Sequence, residues 1–230
     1  MNIAGLQKTT LLDYPEHVAA TVFLGGCNMR CPFCHNWELV ENPQTLYTKE
    51  SLFHFLQKRK GILDGVCISG GEPTIHPELP DFIGNIKALE YLVKLDTNGT
   101  NPTMLRQLIN AGKIDYVAMD IKSGSSSYSS CCGCNIPTDS ILESIAVLRE
   151  NRIPYEFRTT VVSELHSRKD ILEIGNMIQG ASKYFLQSFV ASEQVPTNNF
   201  HAPSIETLKE YQRLMKPFVP DTFIRGQEPV

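Results

Sequence analysis

The chain has 230 residues, 42% of them apolar and 20% charged, with a net charge of −4. That composition supports one substantial core and excludes a disordered or fibrous chain. The acidic balance argues against a nucleic-acid partner, because phosphate binding needs clustered Lys and Arg, and the one basic run, Lys58-Arg59-Lys60, reads as a solvated helix end. The longest apolar stretches fall far short of the ~20 residues that cross a bilayer. Met1-Asn2-Ile3-Ala4-Gly5 lacks the basic and apolar regions of a signal peptide. The expectation is therefore a cytoplasmic protein with no membrane or nucleic-acid partner, organised as a single domain over residues 1–230.

In chain order, a β-rich run from His17 to Leu24 leads into Gly25-Gly26 and a cysteine-bearing loop. A helical pattern follows Thr48 (Leu52, Phe53, Phe55, Leu56), and Gly65 to Ser69 reads as a short buried strand stopping at Gly70-Gly71. Asp81 to Leu89 has helical spacing. Tyr91 to Asp96 is the third strand, followed by the turn Thr97-Asn98-Gly99 and a helix after Pro102. Tyr116 to Ile121 is the fourth strand. A Ser-rich loop then precedes a helix around Ile141 to Leu148, with Ser140 and Glu143 at capping-box spacing. Tyr155 to Val162 and Tyr184 to Val190 complete the strands, with helices over Ser167 to Ile178 and from about Ser204 onward.

Six βα units with connections too long for hairpins predict an α/β fold of parallel strands joined by right-handed crossovers. A doubly wound open sheet and a curved partial barrel both satisfy this alternation. In either, function gathers at the C-terminal ends of the strands. The cysteine loop, Gly70-Gly71-Glu72-Pro73, Asp96-Thr97-Asn98-Gly99 and Asp120-Ile121-Lys122 all fall there.

Seven cysteines, an odd number in a chain expected in a reducing compartment, point to metal or redox chemistry before disulfides. Cys27, Cys31 and Cys34 are separated by three and two residues, close enough to wrap one iron–sulfur cubane, and three ligands leave one iron open. A zinc knuckle completed by His35, or three incidental buried cysteines, is the alternative. Zinc sites more usually pair two cysteines with two further cysteines or histidines.

Cys-x3-Cys-x2-Cys after the first strand resembles the signature of the radical S-adenosylmethionine (SAM) superfamily, and CNMRCPFCHN resembles the activating enzymes of glycyl-radical proteins. SGGEP, LDTNG, MDIK and LQSF follow in the matching order, so the resemblance covers nearly the whole chain. Ile3 to Pro15 is similar to the N-terminus of the anaerobic ribonucleoside-triphosphate reductase activating proteins. The resemblance implies a partial (β/α)6 TIM-like barrel, with a [4Fe–4S] cluster on Cys27, Cys31 and Cys34. It also implies SAM on the open iron, cleaved by one electron to methionine and a 5′-deoxyadenosyl radical. The implied reaction abstracts a glycine Cα hydrogen from a partner glycyl-radical enzyme, with anaerobic ribonucleotide reductase first. Pyruvate formate-lyase activation, a radical SAM reaction on a small molecule or peptide, and a non-enzymatic iron–sulfur or zinc protein are the alternatives. The implied reductant is a flavodoxin or ferredoxin-type protein. No general base is expected, since positioning and the exclusion of water and oxygen carry such chemistry.

By the same resemblance, Gly70, Gly71 and Glu72 line the SAM site, the glycines letting backbone approach a ligand closely. Asp96 and Thr97 read either as part of a plain Asn-Gly turn or as SAM-site residues that admit a monovalent cation. Asp120 and Lys122, two apart, share one face and are expected at SAM's carboxylate or ribose. Arg158 suits carboxylate binding. Gln187 is expected to face the barrel, His201 to be a solvated loop residue, and Cys67 to sit in the core. Cys131, Cys132 and Cys134 do not match ferredoxin spacing and are expected in an exposed, metal-free, oxidisable loop.

Overall fold

The computed structural model describes residues 1–226. Eight strands form one sheet in sequential order. They are β1 (Ile3–Thr10), β2 (Ala19–Leu24), β3 (Gly65–Gly70), β4 (Leu92–Thr97), β5 (Tyr116–Asp120), β6 (Tyr155–Val161), β7 (Tyr184–Ser188) and β8 (Thr222–Arg225). All neighbours from β2 onward run parallel, while β1 pairs antiparallel with β2. The strand order never reverses, so there is no switch point of the doubly wound kind. Crossovers of one hand then lay their helices on one face, and the sheet curves as a partial barrel.

The helices are α1 (Trp37–Glu41), α2 (Lys49–Lys58), α3 (Leu79–Lys87), α4 (Pro102–Asn110), α5 (Tyr128–Cys132), α6 (Thr138–Arg149), α7 (Arg168–Met177) and α8 (Ile205–Met215). The six expected strands begin and end within two residues of these bounds. Four elements were not anticipated: β1, whose Gln7-Lys8-Thr9 stretch breaks any alternation, the five-residue helix α1, the four-residue strand β8, and α5, a helix inside the Ser-rich segment. The capping box expected at Ser140 and Glu143 is absent. Helix α6 starts earlier, at Thr138 behind Pro137, and Ser140 Oγ bonds the Pro137 carbonyl instead. A true capping box stands at the start of α7, between Ser167 and Asp170. The Lys58-Arg59-Lys60 run ends α2 as expected.

The two faces of the sheet are chemically opposite. One row in register, Val22–Ile68–Leu95–Val117–Tyr155, is wholly apolar and buried. It joins the inward stripes of the helices, such as Ile83 and Ile86 of α3 or Leu105 and Leu108 of α4, in one core. Each such aliphatic side chain contributes roughly 1.5–3 kcal/mol on burial. The alternate row holds Thr21, Cys67, Lys94 and Tyr116. Lys94 and Glu156 are buried on that inner face, so the barrel interior is lined with charge. Tyr14, from the β1–β2 connection, packs with Ala19 and Tyr116 to plug its floor.

Candidate functional site

The chain leaves β2 through Gly25-Gly26 into the loop carrying Cys27, Cys31 and Cys34. That loop is pinned to the neighbouring strand exit by backbone bonds, Gly71 N–H to Leu24 O at 2.8 Å and Glu72 N–H to Gly26 O at 2.9 Å. These bonds explain the paired glycines after β3. Gly70 has φ +114°, and a Cβ there would sit 2.3 Å from Leu24 O; one on Gly71 would sit 2.0 Å from Gly26 O. The close approach they permit is to the cysteine loop itself, a role the sequence expectation gave to a ligand.

Cys27, Cys31 and Cys34 line a common cleft with Gly70, Gly71, Asp96, Thr97, Asp120, Lys122 and Arg158. Counted out into the solvent at its open mouth, the cleft spans about 820 Å³. Burial pushes all three thiols above their usual pKa, Cys31 to about 12, and the charge of Lys122 pulls each back down. Burial outweighs that cation at each sulfur, and Lys122 is the one charge all three share that favours the thiolate.

Opposite the cysteines runs a ladder of alternating charge. Asp96 bonds Lys94, and its other oxygen accepts from Ser69 Oγ at 3.0 Å and Arg158 Nη1 at 3.4 Å. Arg158 Nε donates to Asp120 Oδ1 at 2.7 Å, and Lys122 Nζ lies 3.2 Å from Asp120 Oδ2. Burial raises the cost of a charged Asp120, yet the Arg158 and Lys122 charges outweigh it and hold the carboxyl well below the usual range. Lys122 is held above its usual value for the same reason. At the cleft the two cations, Lys122 and Arg158, balance the two carboxylates, Asp96 and Asp120, while Lys94 is buried behind Asp96 and outside the cleft lining.

Glu72 alone of the expected site residues does not line the cleft. It is wholly buried, and its carboxylate accepts from the Thr74 amide and hydroxyl, the Thr97 hydroxyl (2.8 Å) and the Asn98 amide (2.6 Å). It clips the end of β3 to the end of β4. Gln187 stands in register with the cleft residue Thr160 and so shares its face. His201 is exposed and paired with Glu164 at 2.6 Å. Cys67 is buried, as expected.

Two residues escaped the sequence reading. Asn98 lines the cleft and directs its amide at Asn28 (2.9 Å) and at the Cys27 sulfur (3.9 Å). His166 is buried, accepts from Val162 N–H at Nδ1 (3.0 Å), and with Nε2 reaches the Lys122 carbonyl at 2.8 Å. A Lys inside the apolar run YLVKLD, with Glu156 and Arg158 inside the strand YEFRTTV, signalled that the inner face is charged.

The second cysteine group departs from expectation. Cys131 and Cys132 are buried and Cys134 is half-buried, on α5 and the turn after it. Cys132 O accepts the Arg30 amide at 2.9 Å, so this segment packs directly on the loop that carries Cys27, Cys31 and Cys34.

The family model of the radical SAM superfamily matches residues 21–178. The chain belongs to the radical SAM superfamily. This radical SAM chain is 30% identical over 230 residues to a candidate glycyl-radical enzyme activating enzyme of Methanocaldococcus jannaschii, covering 97% of this chain and 95% of that one. It is 26% identical over 173 residues to a 7-carboxy-7-deazaguanine synthase of Haemophilus influenzae, covering 70% and 76%. The Streptococcus suis SuiB structure bound to S-adenosylmethionine superposes with a TM-score of 0.68 at 11% identity, over 90% of this chain and 52% of that one, a likeness of fold.

Radical SAM enzymes use a [4Fe–4S] cluster and SAM. The donor set fits that cluster. Three thiols, Cys27, Cys31 and Cys34, line one cleft, and a cubane takes one thiolate on each of three irons. His35, the residue a zinc knuckle would require, has its ring nitrogen 2.6 Å from Val190 O. The described residues contain no helix long and apolar enough to cross a membrane.

Proposed function

We propose that this enzyme activates a glycyl-radical enzyme, acting as a single radical SAM domain that removes a glycine Cα hydrogen from a partner protein. The observation that carries the reading is the end-to-end match to the glycyl-radical enzyme activating relative, with the charged cleft intact. Cys27, Cys31 and Cys34 would hold the cluster and leave one iron open. A cluster held by these residues would supply the electron for reductive cleavage of SAM to methionine and a 5′-deoxyadenosyl radical.

The chain's own residues do the positioning. Lys122 and Arg158 offer cations to SAM's carboxylate, and Arg158 suits it by its forked donors. Asp96 and Asp120 face the ribose hydroxyls and the ammonium, and Asp96 with Thr97 is the place for a monovalent cation. The Gly70 and Gly71 carbonyls add acceptors at the same rim, with Gly70 O already receiving Asn36 Nδ2 at 3.0 Å. Glu72 acts at one remove by fixing Thr97 and Asn98. The lateral edges β1 and β8 do not pair with each other. An open-sided barrel of this kind suits a protein loop as substrate.

Anaerobic ribonucleotide reductase is the partner favoured by the N-terminal motif Ile3 to Pro15. A pyruvate formate-lyase would be handled by identical chemistry, with a flavodoxin or ferredoxin-type reductant in either case. The test is anaerobic incubation of reconstituted enzyme with SAM, reductant and each partner, followed by electron paramagnetic resonance. A glycyl doublet with the reductase is expected. Turnover of SAM with a small deazaguanine precursor, and no doublet with any partner, would overturn the reading.

A further inference from the structure

Of the four cysteines outside the proposed cluster set, two lie side by side. Cys132 and Cys134 place their sulfurs 3.8 Å apart, and each thiol also reaches the other's carbonyl, at 3.1 and 3.4 Å. The residue between them is Gly133, in the left-handed conformation at φ +66° that turns the two side chains toward each other. Their exposures differ. Cys134 is half-open to solvent, while Cys132 is enclosed and burial pushes its thiol up to about 11. An accessible thiol backed by an enclosed neighbour is the arrangement of an attacking and a resolving cysteine.

The pair is wired to the cluster loop. Cys134 Sγ lies 3.6 Å from the Asn28 carbonyl, and the Arg30 amide donates to Cys132 O at 2.9 Å. Asn28 and Arg30 both lie between Cys27 and Cys31. A Cβ on Gly133 would sit 2.0 Å from Arg30 O, so the turn and the loop are in backbone contact. The turn cannot rearrange without moving Arg30.

We propose that Cys132 and Cys134 are a redox modification site, an intramolecular dithiol that small-molecule disulfides oxidise and whose oxidation loosens the cluster loop. The Cys134 thiol loses its proton and attacks the oxidant's disulfide, forming a mixed disulfide and releasing one thiol. Cys132 then attacks the Cys134 sulfur, closing the Cys132–Cys134 bond and releasing a second thiol. The protein gives up two protons and two electrons, and the oxidant takes both as two thiols. Closing the bond pulls the Cys132 carbonyl off the Arg30 amide and opens the cluster to loss.

The test treats cluster-loaded full-length enzyme with oxidised glutathione under anaerobic conditions, then alkylates and maps the peptides by mass. A Cys132–Cys134 disulfide is expected, together with several-fold faster iron release to a chelator, both reversed by dithiothreitol. Cys134→Ser should show neither change. Two results overturn the inference: Cys134 left as a stable glutathione adduct with Cys132 alkylatable, or iron release unaltered despite the disulfide. Mapping the same bond in iron-free protein keeps a failure of this inference distinct from a failure of the cluster assignment.

Discussion

Two sets of three cysteines meet where the Arg30 amide donates to Cys132 O and Cys134 Sγ reaches the Asn28 carbonyl, and their surroundings differ. Cys27, Cys31 and Cys34 ring an open cleft, face a ladder of paired charges, and share the field of Lys122. Cys131, Cys132 and Cys134 sit on a short helix and its turn, with Cys131 directed at Leu165 O (3.8 Å) and the other two directed at each other. Cysteine spacing is one guide to ligation, and it already separates the two sets in the sequence. An open position next to compensating charge is a second.

The comparison can be broken most severely at the first set. Cys27→Ala is expected to abolish the cluster's absorbance and all SAM cleavage. A variant that still releases 5′-deoxyadenosine would refute the ligand assignment.

Next in size is the charge ladder. Asp120→Ala leaves Arg158 and Lys122 without their shared carboxylate and should cost about 2–3 kcal/mol of stability, below the range for a deeply buried pair. The reason is that the Asp120 side chain keeps 28% of its surface exposed. Iron content should hold while SAM affinity falls, read by equilibrium binding, and unchanged affinity would remove Asp120 from the site.

A subtler lever is His166 beneath Lys122. Burial lowers its pKa, so the folded state resists protonation more than the unfolded chain does. Its contribution to stability is whole above the unfolded pKa, about 6.5, and drains away as pH falls below it. Urea unfolding between about pH 7 and pH 5 should show that decline. His166→Phe should show a shallower one, with a residual slope from His76, whose pKa burial also lowers. An identical slope would exclude His166 as a source.

The smallest effect is expected at the second set. Replacing Cys131, Cys132 and Cys134 together by Ser should leave about four irons per chain after anaerobic reconstitution, the content of one cubane. A clear drop would make that group a ligand set.

Much of this was legible because parallel strands announce themselves as apolar runs and their C-terminal ends as polar or glycine-rich breaks. Cys27, Cys31, Cys34, Gly70, Asp96, Asp120 and Lys122 were found that way, and the structure gathers them at one cleft with Arg158. Elements without a usable period were not. β8 has four residues, and α5 is built partly from Ser, a poor helix former that reads as loop. Glu72 was misplaced because sequence shows a carboxylate beside a motif and not its partners on the next strand, Thr97 and Asn98. Asn98 and His166 were missed because each acts through contacts more than forty residues away, with Cys27 and Lys122. Cys131 and Cys132 were expected in the open because a Ser-rich run suggests solvent, yet Cys132 O pairs with the Arg30 amide and both thiols are enclosed.

The central claim is a cubane whose open iron takes SAM. Electron paramagnetic resonance of the anaerobically reconstituted, dithionite-reduced enzyme, recorded with and without SAM, tests it most directly. The account predicts a reduced [4Fe–4S] signal whose g-values shift when SAM is added. A cluster signal that SAM leaves unchanged would contradict it.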